Sequence, residues 1–84
     1  MSTVTLRFFA SIRETVGHGS EEWHSAASDL AGLRDELIAR GAPYADCLDR
    51  SHSVRMAVDQ VMGTETQALR SGAEVAFFPP VTGG

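Results

Sequence analysis

The stretch Val75-Ala76-Phe77-Phe78-Pro79-Pro80-Val81-Thr82-Gly83-Gly84 decides the reading of this chain. Val75 to Phe78 is apolar and aromatic, which suits a pleated, half-buried strand. Pro79 and Pro80 end that strand, because neither can donate a ladder hydrogen bond. Consecutive prolines favour a stiff extended path, so the chain is directed away from the body. Gly83 and Gly84 add no Cβ and no side-chain chemistry. The expected product is a bare backbone carboxylate on a slim arm that fits a narrow tunnel in another protein. Two terminal glycines alone would read as a frayed end or an engineered scar. A rigid spacer beside an apolar strand points to a purpose instead.

Working back from that strand, the chain divides into short elements. Thr3 to Phe9 reads as a strand whose period of two puts Val4, Leu6 and Phe8 on the core face. Phe9 then falls on the otherwise polar side. Ser11-Ile12-Arg13-Glu14 fits a capping box opening a short helix through Val16, closed by Gly17. His18-Gly19-Ser20 is a turn. Glu21 to Ala26 reads as a second strand, antiparallel to the first, with Trp23 pointing inward. Ser28 or Asp29 caps the main helix, which runs to about Arg40. Leu30, Leu33, Leu37 and Ile38 form its apolar stripe, and Gly32 on the opposite side costs it stability. Gly41 and Pro43 end it. A loop to Ser53 holds one helical turn around Tyr44 to Leu48. Val54 to Asp59 is a strand with Val54, Met56 and Val58 on one face. Asp59-Gln60 turns into a short return strand, Val61-Met62. A connection with a turn at Ser71-Gly72 leads to the last strand, Glu74 to Phe78.

The composition bounds the function. Eighty-four residues, 43% of them hydrophobic, make one small domain with a modest core. No run has transmembrane length, and no leader pattern opens the chain, so the expectation is a cytoplasmic protein away from membranes. Cys47 is the single cysteine, which excludes an internal disulfide and fits a reducing compartment. Without a cationic activator nearby it reads as a small buried side chain rather than a sulfur carrier. His18, His24 and His52 lack metal-ligand spacing, so no metal is expected. A net charge of −4 argues against nucleic acid as a partner. All seven basic residues are arginine, so no side-chain amine can accept an isopeptide bond. No activated nucleophile, metal set or phosphate-cradling glycine loop is present. The chemistry is therefore expected in the tail and in partners.

Bottom-up, the order strand, strand, helix, strand, short strand, strand gives an α+β fold with one main helix on a mixed sheet. Glu74 to Gly84 resembles the C-terminus of the small subunit of molybdopterin synthase, a ubiquitin-like sulfur-carrier family. The likeness extends to Leu6-Arg7-Phe8-Phe9-Ala10-Ser11-Ile12-Arg13-Glu14-Thr15-Val16-Gly17, to Val58-Asp59-Gln60 and to Leu69-Arg70-Ser71-Gly72. It implies the β-grasp arrangement for residues 1–78, with the first and last strands as parallel central neighbours and residues 79–84 as an extended tail.

For function, the resemblance implies a sulfur-donor subunit that is not itself catalytic and binds no cofactor. An ATP-dependent adenylating enzyme makes a Gly84 acyl-adenylate, since a bare carboxylate is a poor electrophile. Sulfur from a persulfide donor replaces AMP to give a Gly84 thiocarboxylate. Pro79, Pro80, Val81, Thr82 and Gly83 thread the tail into the large synthase subunit, within a heterotetramer. Two sulfurs then build the dithiolene from cyclic pyranopterin monophosphate. Alternation puts Phe78 on the outer face with Phe9, and the family places a partner-binding position at Met62. A one-residue slip would turn Phe78 inward instead. Two other functions share the fold: a carrier for thiamine or another thio-compound, and a modifier conjugated to lysines.

Overall fold

The computed structural model describes residues 2–80. Its elements are β1 (Ser2–Phe8), α1 (Ala10–Val16), β2 (Ser20–Ser25), α2 (Leu30–Ala39), α3 (Tyr44–Leu48), β3 (Arg55–Val58), β4 (Val61–Gly63) and β5 (Glu74–Phe78). The strands form one mixed sheet in the order β2-β1-β5-β3-β4. Strand β1 pairs antiparallel with β2 and parallel with β5. This is the β-grasp, with β1 and β5 as parallel central neighbours.

The inward faces follow the period-two reading. Val4, Leu6 and Phe8 of β1 are buried with Val75 and Phe77 of β5 and with Met56 and Val58 of β3. Leu30, Leu33 and Leu37 of α2 close over them, joined by Ile12 and Val16 of α1 and by Tyr44 and Leu48 of α3. Each fully buried leucine contributes about 1.5–3 kcal/mol, so packing rather than propensity holds a helix as short as α2. Trp23 points inward but stays half-buried against the core. Ile38 likewise lies at the core margin rather than in it.

Asp29 caps α2, its Oδ1 accepting from the Gly32 amide at 2.8 Å. Gly32 is more than a weak point in the helix: a Cβ there would stand 2.9 Å from the Ala27 Cβ. The glycine lets the helix close on the segment that leads into it. Gly17 ends α1 at φ 96, in the left-handed region that favours glycine.

The start of α1 differs from the expected capping box. Phe9 is the N-cap, extended at φ −127 and ψ 155, and no side chain caps the helix. The strand runs directly into the helix. The Phe9 amide still bonds the Phe77 carbonyl at 3.1 Å, while its own carbonyl accepts from Ile12 and Arg13. Ala10 makes the corner at φ 51. Ser11 is therefore already inside the helix, and its carbonyl accepts from the Thr15 hydroxyl.

The β3–β4 hairpin turns on Asp59 and Gln60, at φ 49 and 70. Asp59 suits its place, accepting from the Glu74 amide and from Arg70. Gln60 makes no such contact and takes left-handed strain. Gln60→Gly is expected to raise stability by about 0.5 kcal/mol. A lower thermal midpoint for the variant would show that position to be unstrained.

Two polar anchors tie the helices to the sheet. Glu36 of α2 accepts from Ser25 Oγ at 2.6 Å, Trp23 Nε1 at 3.0 Å and the Ala26 amide at 2.9 Å. Burial pushes its carboxyl up, but the hydrogen bonds from Ser25, Trp23 and the backbone outweigh that and hold it below the usual 4.5. Glu21 of β2 accepts from Tyr44 Oη at 2.6 Å and from Arg40 at 3.1 Å, and His18 Nε2 lies 3.1 Å away. Burial raises its carboxyl too, and these bonds again lower it overall. With folded values below unfolded ones, the unfolded chain binds more protons in acid. The stability from these bonds is present above the unfolded value and is lost as pH falls through the folded one. Urea midpoints should therefore drop between about pH 5 and pH 3, and less steeply for Glu36→Gln. Equal slopes for both proteins would remove Glu36 from the account.

Candidate functional site

The site is built where β5 leaves the sheet. Parallel register sets Leu6 beside Val75, Arg7 beside Ala76 and Phe8 beside Phe77. Phe8 and Phe77 stack inward with centroids 5.9 Å apart, and both are fully buried. The next residue of each strand therefore faces out. Phe9 and Phe78 meet edge to face at 6.4 Å on the outer surface, away from the helices. The inward turn of Phe78 is excluded by this register. Phe9 is 41% exposed, and Phe78 is half-buried beneath it.

Met62 of β4 lies opposite Ala57, which in turn pairs with Ala76. This puts Met62, 52% exposed, on the same face, with β3 between it and the aromatic pair. The sequence thus brings Phe9 and Phe78 into contact and sets Met62 at the flank rather than against them.

Pro79 and Pro80 follow at the rim, both half-buried. They stand between two clefts. One, of about 450 Å³, is lined by Arg55, Met62, His52, Thr64 and Pro80 among others. The other, of about 310 Å³, runs from Ser11 and Thr15 past Cys47 and His52 to both prolines. Val81, Thr82, Gly83 and Gly84, expected to carry the acyl chemistry, lie outside the described residues.

Among the described residues near the exit, the one thiol is not activated. Cys47 Sγ lies 3.6 Å from the Tyr44 carbonyl, and burial followed by the Asp46 charge pushes its thiol up. A protonated thiol is a poor nucleophile. Among the described residues no group of His, Cys, Asp and Glu could hold a metal ion. Among the described residues no helix is long and apolar enough to cross a membrane.

The sequence reading missed Arg34. It is 4% exposed and makes no ion pair among the described residues. Its Nε donates to the Leu48 carbonyl at 2.8 Å, and Nη2 donates to the carbonyls of Asp49 at 3.0 Å and His52 at 2.8 Å. It thereby fixes the end of α3 and the loop that walls both clefts. A signal existed: position 34 completes the i, i+3, i+4, i+7 stripe of Leu30, Leu33 and Leu37. Arg34→Leu should cost about 2 kcal/mol, because three carbonyls lose their donor. Chemical denaturation reads this directly, and an unchanged midpoint would make the three bonds dispensable.

A five-stranded mixed sheet in this order, with helices packed on one face and the last strand leaving through a proline pair, defines a ubiquitin-like protein. Residues 6–84 match the ThiS family, and the chain belongs to it. It is 36% identical over 81 residues to the molybdopterin synthase sulfur carrier subunit of Escherichia coli, covering 96% of this chain and 99% of that one. It is also 34% identical over 93 residues to small archaeal modifier protein 3 of Haloferax volcanii, covering 94% of this chain and 96% of that one. Among solved structures it superposes, at a TM-score of 0.64 and 22% identity, on a chain from the complex of subunits 1 and 2 of molybdopterin-converting factor from Helicobacter pylori. That match covers 98% of this chain and 99% of the other.

Proposed function

We propose that the chain is the sulfur carrier subunit of molybdopterin synthase, cytoplasmic, and active in a heterotetramer with the large subunit. The observation that carries this is the Phe9–Phe78 pair, exposed on a sheet face immediately before the Pro79–Pro80 exit. An apolar pair kept at the surface beside a tail suits a partner that grips the face and swallows the tail. The relative from Escherichia coli carries the matching name, and the Helicobacter pylori chain was solved with a second subunit.

In this reading an ATP-using, E1-like enzyme converts the Gly84 carboxylate to an acyl-adenylate. A persulfide donor then attacks as AMP leaves, forming an acyl disulfide, and a second thiol breaks its S–S bond, releasing the thiocarboxylate as the two thiol sulfurs join in a disulfide. The large subunit receives the tail and supplies the acid–base groups that act on cyclic pyranopterin monophosphate. This chain supplies position and sulfur, not catalysis.

The likeness to an archaeal modifier keeps one competitor, a protein tag attached to lysines. Intact mass of the protein from its native host separates the two. A thiocarboxylate terminus, with co-purification of the large subunit, is the expected result. Isopeptide adducts without any thiocarboxylate would overturn the carrier reading in favour of the tag.

A further inference from the structure

Seven arginines stand against eleven acidic residues in this chain, so a free cation is scarce. Four arginines are neutralised by carboxylates: Arg7 by Glu74, Arg40 by Glu21, Arg50 by Asp35 and Glu65, and Arg70 by Asp59. Arg34 is used up on backbone carbonyls. Among the described residues this leaves Arg13 and Arg55 without an acidic partner. Arg13 lies against Gly19, on α1. Arg55 lies opposite Phe78 in the β3–β5 register, on the outer face. It also lines the cleft shared by Met62 and Pro80.

A second observation points the same way. Arg7, on the other side of β5, sits 5.7 Å from the Phe9 ring centroid. One of its nitrogens reaches Glu74 at 3.2 Å, while its Nε is buried with no hydrogen-bond partner. The aromatic pair is thus flanked by an unpaired guanidinium and by a second one with an unused donor. On a protein of net charge −4, the unpaired Arg55 charge beside the aromatic pair stands against the overall field. The Arg7 side chain as a whole is 42% exposed, so its outer nitrogens stay open to a partner.

We infer that Arg55, with Arg7 on the far side of β5, meets carboxylates of the large synthase subunit at the rim of the aromatic pair. This rests on the synthase reading above and names what that partner must present: an apolar socket edged with acidic side chains. The apolar contact supplies the grip, and the arginines set orientation and the rate of encounter. Guanidinium suits the task, because its planar fork binds carboxylate with two hydrogen bonds.

The test is calorimetric titration of the purified large subunit with wild type, Arg55→Glu and Arg70→Glu, in low and high salt. Arg70→Glu changes the net charge equally but at the Asp59 turn. Arg55→Glu should weaken binding about tenfold or more in low salt, and the gap should narrow in high salt, where surface charges are screened. Arg70→Glu should stay within about twofold of wild type. Thermal midpoints confirm that Arg55→Glu, an exposed change, still folds. Wild-type affinity for Arg55→Glu, or equal losses in both variants, would overturn the inference and leave the synthase reading standing. A wild-type chain that fails to bind the large subunit would overturn both.

Discussion

Removal of Gly84 is expected to abolish sulfur loading completely while leaving the thermal midpoint unchanged. The proposed reaction begins at a free α-carboxylate, and activation by ATP needs that group at the end of an unbranched arm. No side chain in the described residues can replace it, since Cys47 is held as a protonated thiol and no metal set exists. Among the described residues the core ends at Phe77, and Gly84 carries no side chain to pack. ATP–pyrophosphate exchange with the activating enzyme, followed by intact mass, reads the outcome. Extension by one residue beyond Gly84 should act like the deletion. Formation of molybdopterin by a chain without Gly84 would end the carrier reading, whatever else the protein binds.

Phe78→Asp is expected to weaken binding to the large subunit by about 3 kcal/mol, more than a hundredfold, as for an aromatic anchor at an interface centre. The same change should leave the free chain nearly as stable. Phe78 lies outside the core, and the new carboxylate falls opposite Arg55, which can receive it. Phe78→Ala should cost less, about tenfold, because it removes the ring without adding a charge to desolvate. Calorimetry of binding and of unfolding on one preparation separates the effects. A variant that unfolds at a much lower temperature yet binds normally when folded would place the ring in the core's service instead.

Much of this surface is legible in the residues themselves. Alternation in Leu6-Arg7-Phe8-Phe9 and in Val75-Ala76-Phe77-Phe78 fixes which side chains turn inward, and two parallel neighbours then bring the last aromatic of each strand together. Arg34 was legible too, at an inward position of the α2 stripe, but a charge there invites the assumption of a solvated face. Other features leave no local trace. The corner at Ala10 is a backbone conformation that alanine does not advertise, and a serine followed by glutamate three positions on imitates a cap that the backbone at Phe9 already supplies. The importance of Arg55 emerges only when register sets it across from Phe78 and the other arginines are seen to be occupied. Residues 81–84, on which the proposed chemistry turns, are legible only as sequence.

The parallel pairing of β1 with β5 has a consequence for how the protein comes into being. Contacts between the two ends of a chain form late, because the intervening loop must first be closed. Phe9 is synthesised near the beginning and Phe78 near the end, yet neither makes the docking surface alone. A nascent or truncated chain without β5 offers no aromatic pair, and an unfolded one has no fixed exit for its tail. Under the proposed function the two-strand junction then acts as a built-in inspection step: a partner that grips this face would engage only molecules that have finished folding.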